Sequence, residues 1–122
     1  MKFPFILSIL LFGFSSYAQE TNELKTEKLF VKEGNVVKVT EYHNNGKIAQ
    51  EGYLKNNKLH GKWVSYSSEG EKISIANYNK GKRDGTWLFW DQTGGLTQVD
   101  FKSNKFLKKV TWQEQTKVVK QR

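Results

Sequence analysis

The chain repeats itself on a 24-residue step, seen at positions 42, 66 and 90, and that step limits its fold more than any single residue does. Tyr42, Tyr66 and Trp90 keep it, as do Gly46, Gly70 and Gly94; Gly61 and Gly85 share it with Trp63 and Trp87. A fixed period in the range of about 20–50 residues marks a chain built by stacking one small supersecondary unit. Each unit in such an array buries apolar groups only against its neighbours, which leaves an extended surface for binding.

The ends are set apart from the array. Lys2 precedes an apolar run from Phe3 to Phe14, and Ser16-Tyr17-Ala18 places small residues at −3 and −1 of a cut before Gln19. That three-part pattern predicts an export signal over residues 1–18, shorter than the roughly 20 apolar residues that span a bilayer. The expected location is therefore periplasmic or secreted. Residues 19–29 are a lead-in, residues 30–113 the repeat domain and residues 114–122 a basic tail. There is no cysteine, so neither disulfides nor thiolate chemistry is available, and Pro4 is the only proline.

Within the domain, an aromatic residue opens each of four copies: Phe30, Tyr53, Tyr78 and Phe101. A residue suited to left-handed backbone follows at Gly34-Asn35, Asn56-Asn57, Gly81 and Asn104. Copy two, Tyr53 to Tyr66, reads as carrying one extra residue relative to copy three, Tyr78 to Trp90. The second kind of linker, Asn44-Asn45-Gly46-Lys47 with Glu69-Gly70 and Thr93-Gly94-Gly95 after it, predicts a two-residue type I′ hairpin at Asn-Gly. No segment keeps the 3.6-residue apolar spacing of a helix. The expected fold is all-β: an antiparallel β-hairpin repeat meander forming an elongated, twisted, single-layer sheet. Alternation in Trp87-Leu88-Phe89-Trp90 puts bulky groups on both faces, so Trp63, Trp87, Trp90 and Trp112 are taken as packing groups that stack along the sheet.

Tyr53 to Trp63 and Tyr78-Asn-Lys-Gly-Lys-Arg-Asp-Gly-Thr-Trp87 resemble the MORN repeat, in its bacterial variant with an aromatic-x-x-Gly-Lys-x-x-Gly-x-Trp core. The resemblance spans about residues 30–112. It is strong in copies two and three and weak in the outer two, as suits terminal units that shield the ends of an array. Gly-Lys-Trp and Gly-Thr-Trp stand where the commonest pattern often has a second glycine, a departure shared with antitoxin- or immunity-like proteins. The resemblance implies hairpins stacked in a single-layered sheet and binding of proteins or membrane surfaces.

The chemistry is sparse. His43 and His60 lack the His-x-x-x-His or His-x-Glu spacing of a metal or acid–base site, and neither a nucleophile elbow nor a phosphate loop is present. No enzyme, cofactor or metal is expected. Net charge is +8, and the basic excess lies at the C-terminal end, where Lys102, Lys105, Lys108, Lys109, Lys117, Lys120 and Arg122 face Glu114 alone. Such an end suits either an edge protected by lysines or attachment to an anionic membrane or envelope polysaccharide, with Lys105, Lys108, Lys109, Lys117 and Lys120 as contacts. Nucleic acid is disfavoured, because these lysines do not alternate with exposed aromatics. The leading expectation is a module that binds a partner protein through its sheet surface, either immunity-like or as an envelope scaffold.

Overall fold

The computed structural model describes residues 27–113; the expected signal segment, most of the lead-in and the tail with Lys117 and Lys120 lie outside them. The described chain forms one open antiparallel sheet. Its strands are β1 (Lys28–Glu33), β2 (Val36–Tyr42), β3 (Ile48–Lys55), β4 (Lys58–Tyr66), β5 (Lys72–Asn79), β6 (Lys82–Arg83), β7 (Gly85–Trp90), β8 (Leu96–Lys102) and β9 (Lys105–Trp112). Apart from the short β6, each strand pairs with the one that follows it in the meander. β6 and β7 are two pieces of one strand, interrupted at Asp84, and both pair with β5. This is the expected all-β meander. β1 begins at Lys28, inside the segment read as a lead-in, and pairs with β2 along its whole length, from Lys28 opposite Glu41 to Glu33 opposite Val36. The outermost hairpins are therefore both formed.

The turns alternate between two chemistries, and they fall on opposite rims of the sheet. On one rim, two-residue turns join strands whose ends are directly paired. Asn56 and Asn57 have φ of 53° and 65°, Lys80 and Gly81 51° and 90°, Ser103 and Asn104 49° and 73°. Positive φ at both positions is the requirement of a type I′ turn, whose twist matches that of the flanking strands. Gly34 alone is positive in the fourth of these turns, the pattern of type II′.

On the other rim, His43 donates its N–H to the carbonyl of Lys47 at 2.7 Å while Gly46 donates back to His43 at 2.9 Å. Only Gly46 has positive φ there. The same pair of bonds closes the loops at Ser67–Glu71 and Asp91–Gly95. The type I′ turn expected at Asn44-Asn45-Gly46-Lys47 is thus a three-residue loop ending in a left-handed glycine. Asn45 turns its side chain to accept from the N–H of Lys47 at 2.9 Å, which favours the longer loop. Type I′ geometry belongs to the opposite rim.

A single layer encloses little. Val39 and Trp63 are the buried apolar side chains and Thr40 the buried polar one among the described residues. Stability therefore comes from the ladder of backbone bonds and from side chains stacked across strands.

Candidate functional site

Strand pairing sorts the side chains onto two faces. One carries Trp63 and Ser65 of β4, Ser74, Ala76 and Tyr78 of β5, Trp87 and Phe89 of β7, and Phe101 with Phe106 further out. Along this face the aromatic rings form a continuous row. Tyr78 meets Trp87 edge-on at 5.2 Å, Trp87 meets Phe101 at 5.4 Å and Phe101 meets Phe106 at 6.3 Å. Phe89 lies 6.2 Å from Trp87 on the same face, as the alternation predicted. Arg83 places its guanidinium 4.5 Å above the ring of Phe101, extending the row with a cation. Between Trp63 and Trp87 lies a cleft of about 240 Å³ floored by Ser65, Ser74 and Ala76.

Both tryptophans are locked by the same device. The indole N–H of Trp63 donates to the carbonyl of Tyr53 at 2.9 Å, and that of Trp87 to the carbonyl of Asn77 at 2.8 Å. Gly61 and Gly85, two residues before each tryptophan, have φ of 77° and 100°. At the first of these sites the register towards the preceding strand slips between Glu51 and Tyr53. The extra backbone length is what a bulge supplies to re-aim a side chain. These partners keep the repeat step without insertion, so Asn77 is the counterpart of Tyr53 and Leu54 that of Tyr78. The sequence-level alignment of Tyr53 with Tyr78 is corrected accordingly. The two tyrosines project from opposite faces, and no extra residue is present in copy two.

Gly52 went unnoticed in the sequence. The ring of Trp63 lies on it, and a Cβ there would come within 2.1 Å of the ring. A glycine interrupting a strand pattern signals such close backbone approach, and that signal was available.

The two histidines act as structural stitches. His60 Nδ1 accepts the N–H of Lys80 at 3.1 Å, and Asp84, one repeat step further on, accepts the N–H of Ser103 at 2.9 Å. Each ties one two-residue turn to the next. On the other rim His43 Nε2 lies 3.0 Å from the carbonyl of Tyr66, while Asn45 donates to Ser68 at 2.8 Å and Lys47 to Glu69 at 3.3 Å. Among the described residues, no three His, Asp or Glu side chains are placed to hold a metal ion.

The opposite face is more polar. Tyr66 donates to Glu51 at 3.2 Å, and burial together with that carboxylate pushes the phenol above its usual range. Asp91 sits in the third loop, where its Oδ1 accepts from the hydroxyl and N–H of Thr93 and the N–H of Gly95 at 2.7, 2.9 and 2.8 Å. Those donors hold its carboxyl below the usual range, the hydroxyl of Thr93 contributing most. Of the other repeat positions, Tyr42 and Trp90 end their strands on the loop rim, Gly70 and Gly94 occupy the left-handed loop position of Gly46, and Gly81 lies in a two-residue turn.

The C-terminal lysines do not form a patch by themselves. Lys105 and Lys108 pair with Lys102 and Asp100 on the polar face, and Lys109 pairs with Val99 on the aromatic face. Exposed apolar side chains are spread over both faces, with Phe30, Phe89 and Phe106 on the aromatic one at 58%, 40% and 56% exposure.

No curated protein and no solved structure matches this chain. The family described as MORN repeat variant matches twice, over residues 35–56 and 59–80. The second match begins and ends one repeat step after the first, and each is centred on a three-residue loop, which places Gly85 and Trp87 outside them. Over β2 to β5 the chain is thus similar to MORN-repeat proteins, whose repeats serve as protein- or membrane-interaction modules.

Proposed function

We propose that this protein is a non-enzymatic, exported binding module that holds a partner polypeptide on its aromatic face, as an immunity- or antitoxin-like binder or an envelope scaffold would. The observation that carries the reading is the row from Tyr78 through Trp87 and Phe101 to Phe106, with Phe89 and Phe106 left exposed. Exposed contiguous aromatic surface marks interaction sites, and aromatic side chains supply most hot spots. The indole lock on Trp87 holds the centre of the row rigid, so binding loses little side-chain entropy there. Similarity to MORN repeats supports an interaction role.

The test compares the wild-type chain with Phe89→Ser/Phe106→Ser as bait in an extract of the producing cell. A stoichiometric protein partner recovered by the wild type and lost by the double variant is the expected result. A partner retained equally by both would remove the aromatic face from the mechanism.

A further inference from the structure

The meander gathers positive charge that the sequence scatters. Lys55 and Lys58 are direct cross-strand partners at one two-residue turn, and Lys102 and Lys105 are direct partners at another. Lys82, paired with Asn79, lies between them on the same face. Lys55 is half-buried and the other four are exposed. The result is a line of ammonium groups along one rim of the polar face, crossing the strands at a pitch of about 4.8 Å per strand.

This arrangement is not explained by the fold. Like charges directly opposite each other destabilise a sheet. Lysines protect open edges, and Lys105 lies on the outermost strand β9, but Lys55 and Lys58 lie on β3 and β4, interior strands with no edge to protect. Solubility calls for charge without requiring such a run: Glu33 and Asp84 are also on this rim, but five lysines follow one another from Lys55 to Lys105, whereas the loop rim mixes Glu69, Glu71 and Asp91 with Lys47 and Lys72.

We propose that the lysine line is a binding site for a linear phosphate polymer, separate from the aromatic face. Lysine is a compact, hydrated point charge that binds phosphate without the planar fork needed for side-on carboxylate recognition. Arg83, the nearby guanidinium, faces the other way over Phe101 and is bonded to Asn104. A site with charge alone, in a line one residue wide, fits a chain that presents closely spaced phosphates along its length. A bilayer would instead call for a broad basic surface, and this line is one residue wide.

The test uses the full chain and long-chain inorganic polyphosphate, with binding followed by calorimetry. Five contacts predict that affinity falls by roughly a hundredfold between about 50 and 200 mM salt. Lys58→Glu/Lys105→Glu converts both like-charge pairs into opposite pairs. It is expected to raise the unfolding midpoint by about 1–5 °C while lowering affinity at least about tenfold. Lys47→Glu/Lys72→Glu makes the same change in net charge on the loop rim and is expected to keep affinity within about threefold. Equal loss in that control, or no polyphosphate binding at the lower salt, overturns the proposal. So does binding of polyglutamate or of anionic phosphatidylglycerol vesicles as tight as that of polyphosphate. Should the reversed variant fail to fold, Lys58→Gln/Lys105→Gln decides instead, and unchanged affinity there rejects the site. None of these readouts depends on Phe89 or Phe106, so the aromatic-face reading stands or falls separately.

Discussion

At the residue scale, the decisive positions are those where two groups come closer than a side chain allows. Gly52 is the sharpest, because the Trp63 ring occupies the space of its Cβ. Gly52→Ala is expected to cost about 3 kcal/mol, the upper range for overpacking, since neither the hydrogen-bonded indole nor the strand can step aside. Urea unfolding would measure it, and a loss below about 1 kcal/mol would show that the ring can move. Ala76 stands one repeat step after Gly52 and already carries the methyl group, so Ala76→Gly should cost only about 0.5–1 kcal/mol through backbone entropy. His60 makes a second contrast. His60→Ala should lose about 1 kcal/mol with the bond to Lys80, whereas His60→Asp should retain most of it. The basis is Asp84, which makes the equivalent bond to Ser103. The repeat step shows that the two positions correspond; their shared acceptor role could not be read from a histidine and an aspartate.

At the scale of elements, the three long loops share one backbone and differ in what secures it. Ser67 accepts the N–H groups of Glu69 and Glu71 within its own loop, and Asp91 does the same for Thr93 and Gly95. His43, at the same step, reaches across to Tyr66 instead. The loop at Asp91 is the one with a titratable acceptor. Its carboxyl is depressed in the folded state, so its contribution is present above the unfolded carboxylate range, about 3.9, and is lost as pH falls through the lower folded value. Amide chemical shifts of Thr93 and Gly95 are expected to hold steady from about pH 7 to 5 and to move together below about pH 4. Asp91→Asn should abolish that movement. Movement persisting in the variant would assign it to another group. The hairpins themselves were legible from glycine and asparagine, but which linker took which turn was not. Asn-Gly suits both type I′ turns and a longer loop, and Asn45, using its side chain to cap Lys47, decides for the latter.

For the whole molecule, the single layer has a consequence for dynamics. Each strand depends on its two neighbours, and β1 and β9 have only one described neighbour each. In such one-dimensional arrays stability is a sum of local and nearest-neighbour terms. Hydrogen exchange is therefore expected to be fastest in β1 and β9 and slowest in β3, β4 and β5, which surround Trp63 and Gly52. A uniform protection profile would indicate that the sheet unfolds as one unit instead. The same topology governs charge. Lys55, Lys58, Lys82, Lys102 and Lys105 are scattered over more than a third of the chain, yet alternate turns bring them to one rim. From the sequence the C-terminal stretch was the basic feature; in the fold, Lys105 matters through Lys102 beside it and the interior lysines beyond.

The amino-acid sequence by itself determined the period, the all-β meander and the split of aromatics between two faces, because strand alternation and turn residues act over a few positions. The tertiary structure alone decided the phase of the repeat, the flat approach of Trp63 to Gly52, the linking role of His60 and the line of lysines. Each of those depends on which residue lies opposite which across neighbouring strands, and a one-residue bulge changes that pairing without altering the period.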